Sequence, residues 1–256
     1  MYKNTSRCEQ KGINPDSLKA DFIKEQSTTI HYQPSDINFF RKIYKLEEKT
    51  IYANSLSPSV IYKGVEVSSG SKVAIKELRK DRLNDESMHE MTKNEFSIHH
   101  FMSKISNNIV KVKDYYEDEK AYYLVMEFSE EPDFFEDLLE NRYCPVSDER
   151  TLKAFAFDIL TGLKEIHKFN IVHCDIKPQN FLLFKNENLE SESFSEDDEY
   201  FEDYYLKITD FGYAHRIPEG EQKCFMKYPC GTFAYIAPEV TKVELNNLEL
   251  LREQVN

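Results

Sequence analysis

No stretch of this 256-residue chain is apolar for the roughly 20 residues that a membrane-crossing helix needs. Its first residues, Met1-Tyr2-Lys3-Asn4, lack the hydrophobic region of a secretion signal. Cysteine is sparse: Cys8, Cys144, Cys174, Cys224 and Cys230 form no CxxC pair and no metal-ligand spacing. An odd, scattered set of this kind reads as reduced thiols, which places the chain in the cytoplasm, with the nucleus as the open alternative. Basic residues are outnumbered, 33 against 46 acids, for a net charge of −13. Nucleic-acid backbones demand Lys and Arg, so that class of partner is set aside, as is a membrane. Tryptophan is absent. What remains is a chain 40% hydrophobic and long enough to bury a core in one or two domains.

Residues 1–42 are polar and mixed, with Pro15 and Pro34 breaking any long helix, and read as a poorly ordered extension. From Phe39 the pattern turns to strands. Tyr44 to Ile51 is a first, Ser59 to Val67 alternates as a second, and Lys72 to Leu78 follows a turn at Ser69-Gly70 as a third. A helix is expected from about Ser87 to Ser103, then strands over Ile109 to Tyr115 and Tyr122 to Glu127. Asp148 to Lys168 is strongly periodic, with Leu152, Phe155, Ile159, Leu163 and Ile166 on one face and Ser147 placed to cap it. Residues 186–203 are too acidic to pack and read as a solvated insertion in a hairpin between Leu182-Leu183-Phe184 and Leu206-Lys207-Ile208.

The residues richest in chemistry are Ile171-Val172-His173-Cys174-Asp175-Ile176-Lys177-Pro178-Gln179-Asn180. An acid, a lysine and an amide at spacings of two and three suit phosphoryl transfer: a proton acceptor, a cation beside the phosphoryl group and an oxygen ligand for Mg²⁺. Val73-Ala74-Ile75-Lys76 lies about a hundred residues upstream, and Thr209-Asp210-Phe211-Gly212 and Ala237-Pro238-Glu239 follow downstream. Four motifs in this order resemble the protein kinase superfamily. Lys177 two residues after the acid, with Gly231-Thr232-Phe233-Ala234-Tyr235, resembles its serine/threonine type.

The resemblance implies an α+β, two-lobed fold with a small β-rich lobe over residues 43–128. An incomplete helical large lobe would occupy 129–256, interrupted by the insertion at 186–203. It implies ATP and Mg²⁺ as cofactors and a protein hydroxyl of Ser or Thr as acceptor. By that likeness Asp175 is the catalytic acid and Lys177 steadies charge on the phosphoryl group. Asn180 and Asp210 hold Mg²⁺, and Lys76 binds the nucleotide phosphates and pairs with Glu95 rather than Glu86 or Glu90. Ile61, Ala74 and Leu182 would sandwich adenine, with Met126 as gatekeeper. The Glu127 carbonyl and the Ser129 amide would bond its edge, and Asp133 would reach the ribose.

The chain also departs from the family pattern. Asn54, Leu56 and Ser59 occupy the three positions of the usual glycine-rich loop, where a side chain at Leu56 hinders close backbone approach to phosphate. Cys174 replaces the arginine usual before the acid, and the segment Tyr213 to Gly231 has no serine or threonine. No Ser/Thr-phosphorylation switch is expected there, and the Cys174 thiol is expected to be buried and inert, with a redox-sensitive thiol as the alternative. The likeness runs from about Tyr44 to Glu239, so the last helices of the large lobe are expected to be missing or supplied by a partner. Apolar surface on the Leu152 to Ile166 helix would then be exposed. The alternative to an active kinase is a pseudokinase or truncated fragment acting as a nucleotide-binding or scaffold module.

Overall fold

The computed structural model describes residues 37–53, 58–131, 133–136, 149–186, 204–218, 230–238 and 240. The chain divides into two units, Met1–Phe128 and Ser129–Asn256.

The first unit is built on a five-stranded antiparallel sheet. Its strands are β1 (Tyr44–Ala53), β2 (Ser59–Glu66), β3 (Lys72–Arg79), β4 (Val112–Glu117) and β5 (Ala121–Glu127), in the order β1-β2-β3-β5-β4. Residues directly opposite in an antiparallel pair share a face, and alternate residues change face. The register Ile61↔Lys76 and Ala74↔Met126 therefore sets Ile61, Ala74, Lys76 and Met126 on one face. Ile75↔Val125 lies on the other. Gly64 stands where β1 crosses closely, since a Cβ there would come within 2.9 Å of the Lys45 carbonyl.

Each face is covered by a helix. Residues 37–43, read from sequence as extension running into strand, instead form a short helix, α1 (Ile37–Ile43). The tertiary reason is Phe40, which is 2% exposed and stacks on Tyr123 at 4.7 Å, with Tyr116 edge-on at 5.2 Å. Phe40, Tyr44, Val73, Ile75, Ala121, Tyr123 and Val125 form a core on that face. The phenols there meet carboxylates: Tyr116 donates to Asp114 at 2.6 Å and Tyr123 to Asp118 at 3.1 Å. Burial, reinforced by the charge of Asp114, pushes Tyr44 up to about 12, so it stays neutral.

The opposite face carries α2 (Glu86–Ile105), opened by Asp85, whose side chain accepts from the Met88 N–H at 3.0 Å. Its buried stripe, Thr92, Glu95, Phe96, Ile98, His99, Phe101 and Met102, has helical spacing. The expected strand at Ile109 begins later, at Val112, because Ile109 and Val110 are buried in the connection, where the Val110 carbonyl pairs with His99 Nε2 at 3.0 Å.

The second unit holds α3 (Glu149–Lys168) and two small antiparallel ladders. One pairs β6 (Ile171–Val172) with β9 (His215–Arg216), the other β7 (Phe181–Lys185) with β8 (Tyr204–Ile208). Helix α3 is followed by a turn at Phe169-Asn170, where the Asn170 φ of 55° reverses the chain into β6. It is tied to β8 by Asp158, a buried carboxylate that accepts the Leu206 N–H at 3.0 Å. The exposed apolar residues of α3 are not those of the expected face: Phe155 and Ile166 are buried, whereas Phe157 and Leu160 are 65% and 64% exposed. The buried stripe turns toward Thr151, Asp158, Gly162 and Glu165, where the Leu206 N–H satisfies the Asp158 carboxylate. Ser147, the acidic run within 187–203, Asn54 and Leu56 lie outside the described residues, as does the chain up to residue 36. Among the described residues no helix is long and apolar enough to cross a membrane.

Candidate active site

In the first unit the site residues sit on the α2 side of the sheet. Lys76, mid-β3, is 8% exposed and donates to Glu95 Oε1 at 2.5 Å; Glu95 itself is 4% exposed. Glu86 and Glu90 of the same helix are exposed. Two charges removed from water here meet each other, which gives the lysine a fixed position. Ile61 and Ala74 on the same face are half-buried, and Met126 is buried. Glu127, at the end of β5, exchanges bonds with Lys111. Its N–H donates to the Lys111 carbonyl at 2.9 Å and its carboxylate accepts the Lys111 N–H at 2.6 Å.

In the second unit the two ladders bring their loops side by side. The loop 173–180 joins β6 to β7, the loop 209–214 joins β8 to β9, and the strands pair β6 with β9 and β7 with β8. The Thr209 N–H donates to the Asn180 carbonyl at 3.0 Å, stitching the loops together. His173 packs on Phe211, ring centroids 4.9 Å apart, and Phe211 is fully buried. The Asp175 N–H donates to His173 Nδ1 at 3.3 Å, so the ring proton lies on Nε2, which faces the Thr209 carbonyl at 3.1 Å. Burial holds the His173 pKa below its usual value, so this neutral tautomer persists.

Asp175 is 3% exposed and fully engaged. Its Oδ1 accepts from the Thr232 N–H at 2.8 Å and the Thr232 hydroxyl at 2.7 Å. Its Oδ2 meets Lys177 Nζ at 2.7 Å and Asn180 Nδ2 at 3.1 Å. Lys177 also donates to Thr232 Oγ1 at 2.7 Å, closing an acid–lysine–hydroxyl ring. Asn180 Nδ2 donates further to the Asp175 carbonyl at 2.8 Å, which turns its Oδ1 to the other side as a hard oxygen donor. Asp210 adopts φ 63°, a left-handed conformation that sets its carboxylate apart from the strand it follows. Tyr213 has its pKa raised by burial and then by the charges of Asp175 and Asp210, so both acids bear on one phenol. Two oxygen donors of this kind, Asn180 and Asp210, suit Mg²⁺ better than a softer metal.

The arm bearing Thr232 approaches closely because Gly231 precedes it. Gly231 has φ 100°, and a Cβ there would fall 2.6 Å from the Cys174 carbonyl oxygen. Any side chain would push the arm away from Asp175.

Other candidates from the sequence lie at the edge of this arrangement. The Ser129 hydroxyl donates to the Leu183 carbonyl and accepts the Glu131 N–H at 3.1 Å. Asp133 uses Oδ1 to cap the turn after it, accepting from Phe135 and Glu136 N–H at 2.9 and 3.0 Å, and bridges to half-buried Leu182.

Residues 57–249 match the model of the protein kinase domain, most of the chain. The chain belongs to the protein kinase family. It is 32% identical over 185 residues to the serine/threonine-protein kinase RAD53 of Saccharomyces cerevisiae, 72% of this chain and 19% of that protein. It is 30% identical over 199 residues to the serine/threonine-protein kinase cds1 of Schizosaccharomyces pombe, 75% of this chain and 37% of the relative. It is also 31% identical over 186 residues to the Dictyostelium discoideum protein named "Probable serine/threonine-protein kinase fhkA", 71% of this chain and 28% of the relative. All three of these relatives carry the name serine/threonine-protein kinase, and the matches span between 19% and 37% of their length.

The kinase-domain match runs ten residues past Glu239, the point at which the motif likeness stopped. Short motifs mark only the positions where one residue type is needed, whereas a whole-domain comparison also weighs the packing positions between them. Thr232 was visible only as part of a type signature, and its contact with Asp175 spans 57 residues of chain. The structural anchor Asp158 carried no signal beyond an acid on a helix face otherwise read as polar.

Proposed function

We propose that this kinase domain transfers the terminal phosphoryl group of ATP to Ser or Thr hydroxyls of protein substrates. The observation that carries the reading is the closed ring of Asp175, Lys177 and Thr232. A buried carboxylate held by an N–H, a hydroxyl and an ammonium is fixed in direction, and one of its oxygens has only to exchange a partner to meet an incoming hydroxyl. In this reading Asp175 orients the acceptor hydroxyl and takes its proton, and Lys177 offsets charge gathering on the phosphoryl oxygens.

Lys76, pinned by Glu95, binds the nucleotide phosphates, and Ile61, Ala74, Met126 and the Glu127 carbonyl contact the base. Ser129, Asp133 and Leu182 are assigned to the nucleotide by the second unit. Ser129 offers its N–H and Asp133 its second carboxylate oxygen, since their other groups serve the backbone. Asn180 and Asp210 would hold Mg²⁺, which when bound draws charge from the phosphate oxygens. Asn54 and Leu56, in place of glycines, weaken the grip on the phosphates and predict a modest affinity for ATP.

Thermal unfolding with and without Mg²⁺-ATP, alongside radiolabelled phosphate transfer to a mixed Ser/Thr protein substrate, tests this reading. ATP at a hundredfold excess over its dissociation constant stabilises the folded chain by about 2.7 kcal/mol, and Asp210→Asn reduces that gain. Asp175→Asn abolishes transfer while leaving the ATP-induced shift. Absence of transfer by the wild-type chain, or transfer that survives Asp175→Asn, overturns the proposal.

A further inference from the structure

Two thiols flank the Asp175–Thr232 contact, one residue before Asp175 and two residues before Thr232. Cys174 precedes Asp175 and Cys230 precedes Gly231; neither is in a disulfide, and both are partly exposed to solvent. Cys174 is therefore not the buried residue expected from sequence; its φ of 65° takes it out of line with the strand before it. The two backbone segments already touch: the Cβ position of Gly231 lies 2.6 Å from the Cys174 oxygen and 3.8 Å from its carbonyl carbon. On the far side of the contact, Thr232 bonds Asp175 through both its N–H and its hydroxyl.

We propose that Cys174 and Cys230 form a reversible disulfide under mild peroxide, tying the Gly231–Thr232 arm to the loop that carries Asp175. A disulfide needs Cα atoms about 4.4–6.8 Å apart. Segments in contact at the next residue need only a local adjustment to reach that span, and Gly231 is the residue able to make it. The chemistry balances with hydrogen peroxide as oxidant. One cysteine sulfur attacks a peroxide oxygen, the O–O bond breaks, and water leaves behind a sulfenic acid. The second sulfur then attacks the first, forming the S–S bond and expelling the hydroxyl as water. Two thiols lose two protons and two electrons, and one peroxide becomes two waters.

The bridge acts where the site is most tightly built. Drawing residue 230 toward residue 174 displaces Gly231, which has no room on the Cys174 side, and so moves the Thr232 donors off Asp175 Oδ1. Lys177 loses its hydroxyl partner in the same movement. The oxidised form is therefore the less active one. That consequence rests on the kinase reading; the bridge itself does not.

The test treats the full chain with a small excess of hydrogen peroxide, caps the remaining thiols with N-ethylmaleimide, digests without reductant and maps the peptides by mass. The expected product is a Cys174–Cys230 linked pair, two hydrogens lighter than the two thiol peptides. It disappears with dithiothreitol and does not form in Cys230→Ser. Recovery of both cysteines as maleimide adducts or higher oxides, or a bridge to Cys224 in place of Cys230, overturns the proposal. Phosphate transfer is expected to fall at least tenfold on oxidation and to return with dithiothreitol, with Cys174→Ser and Cys230→Ser resistant. Undiminished transfer by a chain whose bridge has been mapped overturns the inhibitory role. A chain that transfers no phosphate before oxidation refutes the kinase reading, while the peptide map still decides the bridge.

Discussion

Replacing Lys76 by methionine removes a charge from a site where its partner cannot reach water. Lys76 and Glu95 are 8% and 4% exposed, and their charged atoms stand 2.5 Å apart. At an effective dielectric of about 20, unit charges at that separation attract by roughly 7 kcal/mol, and desolvating both takes back most of it. The net worth of the pair is thus small, but the cost of breaking it is large. Lys76→Met strands Glu95 and should cost about 3–5 kcal/mol, whereas Lys76→Met with Glu95→Leu should recover most of that loss. With a urea slope of roughly 1–3 kcal/mol/M, the single variant lowers the unfolding midpoint by about 1 M or more. Far-ultraviolet circular dichroism is the suitable signal, because the chain has no tryptophan. A coupling energy near zero in the double-mutant cycle, or a single variant within about 0.5 kcal/mol of wild type, would refute the argument that this ion pair is desolvated.

Thr232→Val keeps the N–H bond to Asp175 and deletes the hydroxyl that both Asp175 and Lys177 use. Loss of one hydrogen bond to a charged group, about 1.5–3 kcal/mol, should lower kcat by roughly 10- to 100-fold with KM for ATP unchanged, and Thr232→Ser should restore it. A rise in KM alone would contradict a positioning role. Phe40→Ala opens a cavity beneath α1 and should cost up to about 3–5 kcal/mol in urea unfolding. A seven-residue helix has little stability of its own, so undocking of α1 sets the ceiling, and an unchanged midpoint would show that α1 contributes nothing. The depressed pKa values of His173 and His215, both due to burial, mean that the unfolded chain binds protons first as pH falls. Their contribution is complete above about pH 6.5 and is lost as pH drops through the folded values, with a slope of up to about 1.4 kcal/mol per pH unit for each group. Unfolding midpoints between pH 7.5 and 5 should fall less steeply in His173→Gln; an identical pH dependence would show that His173 is not buried neutral.

The sequence by itself determined the elements whose signal is local. Strand pattern located β2, β3 and β5 to within a residue, and an apolar period of 3.6 located α3, because burying one face imposes such a period on the residues themselves. The four motifs were legible for the same reason: phosphoryl chemistry demands particular side chains at fixed short spacings. What lacked a local signature was decided by tertiary packing. Residues 37–43 are helical because Phe40 finds three tyrosines on the sheet, a contact no propensity of the segment foretells. The buried stripe of α3 includes Asp158 because the Leu206 N–H, 48 residues on, satisfies its carboxylate. The Glu95 partner of Lys76, by contrast, was already expected ahead of Glu86 and Glu90 from the family likeness, and the helix turns that position inward over the sheet. Thr232 joins Asp175 across 57 residues only because two short ladders and a glycine without a Cβ allow the arm to close. Hydrophobic period and motif chemistry are written along the chain, whereas the pairing of a buried polar group depends on whichever distant atom the fold brings within hydrogen-bonding reach.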